Sequence, residues 1–284
     1  MRARRVDASH GARWVLGGFR LLGRKPLALL ALVVFDVFLL LVPSVLPLVG
    51  PLVPTLLTPV FGVGLMVAMR ATDRGGTPAP QMLFAAFGEE GGHAWRSLLV
   101  LGAISAIATM CAVGLTALAD GGALLGSMTG LDDEAATGAG GGQGAAAGTE
   151  GEGTPIVLPT ISPALLLFLV LLLPIQAATW YAPLFIAWHG IPVGKAIFFS
   201  FVAVWRNRAA FVVYILSWIA AVFAVSTVAS WAMLLSSVAM VRSMLLFFMS
   251  LAILTAMYGS VWLSYRDVIE AGAPGDPPGG RRPE

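Results

Sequence analysis

The chain has 284 residues, of which 58% are hydrophobic and 11% charged, with a formal net charge of +2 and a mean hydropathy of +0.86. Soluble proteins carry charge on about 25% of their residues, so this composition excludes a water-soluble globular fold and indicates a bilayer protein. One cysteine, Cys111, excludes an intrachain disulfide, and three histidines at 10, 93 and 189 show no metal-ligand spacing.

Taken in chain order, residues 1–25 hold seven of the 17 Lys and Arg residues. On a helix, Arg13, Arg20 and Arg24 fall on one stripe while Trp14, Phe19 and Leu22 turn away. That is the pattern of a basic amphipathic helix lying in the headgroup plane. Apolar runs long enough to cross a hydrocarbon core, which takes about 20 helical residues, are expected near 26–48, 51–69, 98–118, 163–187, 209–231 and 243–265. Between the first two, "VPSVLPLVGPLVPTLLTP" carries five prolines, which demand a tight hairpin or kinked helices. The basic leader and the first apolar run are both too long for a cleaved signal peptide, so the first span is expected to remain as an anchor.

The segment 119–155 is rich in Gly and Ala without an apolar period, and reads as a flexible external loop. No Lys follows its glycines, as a phosphate-binding P-loop requires. The tail, 267–284, reads as disordered. The domain plan is therefore a cytoplasmic basic helix (1–25), spans one to three (26–118), the external loop, spans four to six (156–266) and the tail.

Orientation follows from the bases. Sixteen of the 17 fall on one side of a six-span arrangement, leaving Arg242 alone in the opposite hairpin. Between 97 and 194 there is no Lys or Arg, while Asp120, Asp132, Asp133, Glu134, Glu150 and Glu152 crowd into the external loop. The positive-inside rule then places both termini in the cytoplasm.

An internal repeat organises the spans. The even-numbered ones end in "GLMVAMR" (64–70), "PLFIAWH" (183–189) and "SVWLSYR" (260–266), so His189 holds the slot of Arg70 and Arg266. The odd-numbered ones are entered through basic junctions, "GRKP", "AWRS" and "VWRNR", each after a short apolar or amphipathic segment. The expected fold is all-α: an integral membrane protein with six transmembrane helices arranged as three pseudo-repeated hairpins, each preceded by an interfacial helix.

In this frame Arg70, Trp188, His189, Trp205, Arg206, Tyr265 and Arg266 read as cytoplasmic-edge anchors, because amphipathic rings and long cationic side chains favour the bilayer boundary. Trp180 and Tyr181 sit about two turns inside the fourth span. Asp36 and Gln176 are the intramembrane polar candidates. Asp36 lies near mid-bilayer, where a carboxyl is costly and faces the bundle; Gln176 or Tyr181 is its expected partner. No catalytic, cofactor-binding or metal-binding residue emerges.

The basic, Trp-containing start, "GLMVAMRATDRG", "YAPLFIAWHGIPVGKAIFFSFVAVWRN" and the terminal "SYRDV" together resemble a family of uncharacterised bacterial inner-membrane proteins. The likeness covers roughly 1–118 and 160–270. The three-hairpin plan is also similar to the membrane domain attached to some glycerophosphodiester phosphodiesterases, a domain without hydrolase chemistry of its own. What the resemblance implies is an inner-membrane location and no established activity, and it supplies no catalytic residues; no cofactor is expected. Three functions are weighed: first, a non-enzymatic protein that organises lipid or partner proteins; second, a small transporter or channel using Asp36; last, an intramembrane enzyme, whose HExxH, GxSxG or paired-acid motifs are missing. The expected partners are membrane lipids, with a membrane-protein partner or a second copy of the chain as further candidates, and no nucleic acid.

Overall fold

The computed structural model describes residues 4–44, 52–88, 94–122, 163–234 and 239–270. Residues 123–155 of the expected external loop, nearly all of the tail and the middle of the proline-rich turn lie outside the described residues, while 119 and 120, expected in that loop, are the last turn of a helix. Among those described, the regular elements are helical: α1 (His10–Arg24), α2 (Pro26–Ser44), α3 (Leu52–Asp73), a 3-10 helix (Pro80–Phe87), α4 (Trp95–Asp120), α5 (Pro163–Thr179), α6 (Ala182–His189), α7 (Val193–Arg206), α8 (Arg208–Leu234) and α9 (Ala239–Val268).

Among the described residues six segments are long and apolar enough to cross a membrane: Pro26–Ser44, Val53–Asp73, Trp95–Asp120, Pro163–His189, Arg208–Trp231 and Met240–Val268. They coincide with the six expected runs. Helices suit hydrocarbon because they satisfy the backbone internally, where no water can do so. Large apolar side chains stand bare along them, Leu118 at 85% and Phe223 at 74% exposure. In water such a surface would drive association; in lipid it is already solvated.

The chain divides into two compact units, residues 1–104 with 177–284, and residues 105–176. In the first unit α1 packs on α8 and α9, α2 on α3, and the 3-10 helix along α3. The arginine stripe of α1 is exposed as expected, but Trp14, Val15 and Leu21 are buried against protein. Close approach is built in with small residues, the usual device where lipid offers no hydrophobic drive between helices. At Gly18 a side chain would collide with the Ala256 carbonyl, and the position of a Cβ on Gly259 lies 3.3 Å from the Gly18 Cα. At Gly64 a side chain would strike the backbone of Leu83, so the 3-10 helix lies directly on α3.

The fourth span is not one helix. Pro183 lacks the N–H that would bond the carbonyl of residue 179, and its ring crowds that carbonyl, so α5 stops at Thr179 and α6 restarts at Ala182. The buried Ser200 of α7 closes the gap: its Oγ accepts from the Tyr181 N–H at 2.9 Å and donates to the Ala177 carbonyl at 2.9 Å. Gly190, at φ +61°, supplies the left-handed residue that ends α6, its N–H bonding to the Ile186 carbonyl.

The end of the chain also departs from expectation. Residues 267–270, read as the start of a disordered tail, belong to the fold: Val268 and Ile269 are buried, and the Arg4 N–H donates to the Val268 carbonyl at 2.9 Å. Asn207 secures the same N-terminal segment, its Oδ1 accepting from the Val6 N–H and its Nδ2 donating to the Arg4 carbonyl.

In the second unit the buried Thr116 returns its hydroxyl to the Ala112 carbonyl at 2.9 Å. α4 then ends at Gly121 and Gly122, both left-handed, with the Gly122 N–H held by Asp120 Oδ1.

Candidate functional site

The three heptads that end the even-numbered spans meet. Their third and sixth positions are bulky, and Met66, Met69, Phe185, Trp262 and Tyr265 enter one core cluster, with Trp188 packed against it. Tyr265 meets the rings of Tyr181, Phe185, Trp188 and Trp262, and Trp188 stands 5.3 Å from Tyr265 and 5.9 Å from Trp262 between centroids, in edge-to-face geometry. The guanidinium of Arg70 stands 5.3 Å from the Trp188 ring centroid, a cation-π distance. His189 Nε2 and the Tyr265 hydroxyl are 2.8 Å apart. Arg266 donates to Asp73 Oδ2 at 2.8 Å. Five of the seven expected anchors, Arg70, Trp188, His189, Tyr265 and Arg266, are therefore gathered at one end of α3, α6 and α9.

Trp205 and Arg206 stand apart from them. Trp205 is 61% exposed, stacks on Phe201 and carries Arg208 over its face at 5.9 Å.

Asp73 is the residue that sequence reasoning missed. Besides Arg266 it accepts from Trp262 Nε1 at 3.1 Å and from Arg24 at 3.3 Å, while Trp14 Nε1 donates to Asp267 at 3.0 Å. Two acids thus hold two buried indoles and two arginines, tying α1 and α3 to α9. The available signal was an acid set among bases in "RATDRG".

Two tyrosines tie the interior to α9. The Tyr181 hydroxyl donates to Ser264 Oγ at 3.1 Å, and the Tyr214 hydroxyl lies 2.8 Å from Ser260 Oγ, one turn away. Tyr181 is therefore not the partner of Asp36. Asp36 is 2% exposed, close to Tyr258, and its Oδ1 has no hydrogen-bond partner among the described residues. Gln176 lies in the second unit and is exposed, as is Cys111.

Beside the cluster lies a pocket of about 960 Å³ between the last turns of α3 and the 3-10 helix, with Arg70, Arg74, Gln81, Met82, Phe84 and Trp188 among its walls. Among the described residues no group of three or more His, Cys, Asp or Glu side chains is placed to hold a metal ion.

Six apolar spans, bare apolar flanks and a ring-and-cation cluster at one end define a multi-pass helical membrane protein. A curated protein of Burkholderia thailandensis, named a probable inner membrane protein, is 33% identical over 204 residues, 72% of this chain and 70% of the relative. The chain belongs to this family of bacterial inner-membrane proteins. No family model matches the chain, and no solved structure matches it.

Proposed function

We propose that the protein is a non-enzymatic component of the inner membrane that gathers anionic lipid at its cytoplasmic face, with both termini on that side. The observation that carries this reading is the meeting of Arg70, His189 and Arg266 at one end of the bundle. These are the basic ends of three separate spans; Arg266 is engaged by Asp73 and Asp267 and His189 is bonded to Tyr265, so the charge left to attract anionic headgroups rests on Arg70, at about 1 kcal/mol per base near the surface.

In the same proposal each hairpin is one of three repeated units entered through an interfacial helix. The 3-10 helix and α7 fit that role by exposing Phe84, Phe87, Phe198, Phe199 and Trp205. α1 fits it by its arginine side and by Leu16, its other apolar residues being covered by α8 and α9. The test is reconstitution of the full chain into nanodiscs of equimolar phosphatidylglycerol and phosphatidylcholine, followed by extraction in mild detergent. Phosphatidylglycerol should be enriched in the lipid that stays bound; retention in the proportion supplied would sink the reading.

A second reading, a small proton or cation transporter, is favoured by the buried Asp36 and by the break between α5 and α6, since discontinuous helices build transporter sites. Proteoliposomes loaded with a pH-sensitive dye would then collapse an imposed gradient, and Asp36→Asn would abolish the flux.

A further inference from the structure

We propose that the pocket between α3 and the 3-10 helix binds a phosphate group, with Arg70 and Arg74 as its ligands, a step that deepens the lipid reading above by giving it a site. Arg70 lies in the last turn of α3, and Arg74, the residue after its end, still donates its N–H to the Arg70 carbonyl at 3.2 Å, so the two follow one another at helical spacing on one face. Two of the other bases at this end are already paired with acids. Arg24 and Arg266 are engaged by Asp73, and Arg266 also by Asp267, whereas neither Arg70 nor Arg74 forms an ion pair among the described residues. The Nε of Arg70 is buried with no hydrogen-bond partner among the described residues, and the guanidinium is carried on the face of Trp188. Arg74 is exposed.

A guanidinium offers a planar fork of donors that matches phosphate oxygens, and two such forks one turn apart match one phosphate group. Gln81 adds an amide to the same wall. The C-terminal end of a helix carries about half a negative charge, which opposes an anion there. Two full positive charges outweigh it.

Size and polarity narrow the ligand. The cavity, about 960 Å³, exceeds what a bare inorganic ion fills, and Met82 and Phe84 give it an apolar side next to its cationic one. A phosphoester with an apolar or glycerol stem suits both sides. The competing pocket, beside the Arg13, Arg20 and Arg24 stripe, is about 310 Å³ and already has Asp73 and Asp267 in its wall. Those carboxylates disfavour a second anion.

The phosphate has two sources, a lipid headgroup or a soluble phosphate, and two arms separate them. In the first, the full chain in equimolar phosphatidylglycerol and phosphatidylcholine nanodiscs is extracted and its retained lipid counted by native mass spectrometry. In the second, inorganic phosphate is titrated onto the chain in phosphatidylcholine nanodiscs and the unfolding midpoint followed. Arg70→Gln and Arg74→Gln are compared with Arg13→Gln/Arg20→Gln. Arg74 is the safer variant, since its exposed side chain makes no bond that the fold uses.

The expected result is retained phosphatidylglycerol that falls about fivefold in Arg74→Gln and in Arg70→Gln, each with an unchanged midpoint, and stays at the wild-type level in Arg13→Gln/Arg20→Gln. A phosphate-induced rise in midpoint that needs Arg70 and Arg74, without enrichment of phosphatidylglycerol, would keep the site, assign it to soluble phosphate and sink the lipid reading. Enrichment that survives Arg70→Gln/Arg74→Gln and is lost in Arg13→Gln/Arg20→Gln would overturn the site and keep that reading. Neither enrichment nor a phosphate response would overturn both.

Discussion

His189 Nε2 and the hydroxyl of Tyr265 are 2.8 Å apart, joining the last residue of α6 to the last turn of α9. The imidazole is exposed and the tyrosine fully buried, so the bond ties the hydroxyl of a core residue to the edge of the bundle. A double-mutant cycle with His189→Ala and Tyr265→Phe is expected to give a coupling of about 0.5–1.5 kcal/mol in unfolding measurements. His189→Arg keeps a donor within reach of the tyrosine oxygen and should leave membrane abundance intact. A coupling near zero would mean that the two groups are neighbours without being partners.

Asp73→Asn tests the acid that collects three donors. The contact with Arg24 counts for little, since that side chain is 54% exposed and solvent screens it. The loss should come from Arg266 and from the Trp262 indole, which is 1% exposed and has no water to replace its acceptor. Destabilisation of about 1–3 kcal/mol is expected, read as a fall in thermal midpoint in detergent. Trp262→Phe in the Asp73→Asn background should then cost less than Trp262→Phe alone.

Ser200→Ala removes one hydroxyl and leaves two backbone groups unserved, the Tyr181 N–H and the Ala177 carbonyl. Each unmet buried group costs about 1–3 kcal/mol. Amide exchange at 180–182 should accelerate first, before global unfolding, because Ser200 bridges the break between α5 and α6. Unchanged exchange there would show that the gap is closed by other means.

Gly18→Leu places a side chain where the Ala256 carbonyl already lies. Hydrogen exchange across 10–24 should rise toward the rate of a free helix while α8 and α9 keep their protection. Equal protection in wild type and variant would contradict the close packing of α1.

The spans were legible because hydrocarbon imposes a single demand, a long apolar run, and six runs meet it. The anchors were half legible. A repeated heptad with a terminal base shows that Arg70, His189 and Arg266 are equivalent, but their meeting depends on helix packing that no local pattern encodes. Asp73 was hidden for the same reason: an acid between an arginine and a turn reads as a solvated loop until Trp262 and Arg266 arrive from nearly 190 residues away. Tyr181 was misassigned as a partner of Asp36 because depth along a span says nothing about azimuth. The break before Pro183 was the more readable miss, since a proline deep in a helical run removes a bond four residues back.

Cysteine labelling decides which side of the membrane this cationic end faces. In a Cys111→Ala background, Gly140→Cys and Pro278→Cys are each exposed to a membrane-impermeant maleimide in intact spheroplasts. Sixteen of 17 bases on one side of the six-span arrangement predict, by the positive-inside rule, that Gly140→Cys is labelled and that Pro278→Cys is labelled only after the membrane is permeabilised. Labelling of Pro278→Cys in intact spheroplasts would turn the Arg70, His189 and Arg266 end away from the anionic cytoplasmic leaflet and contradict the account.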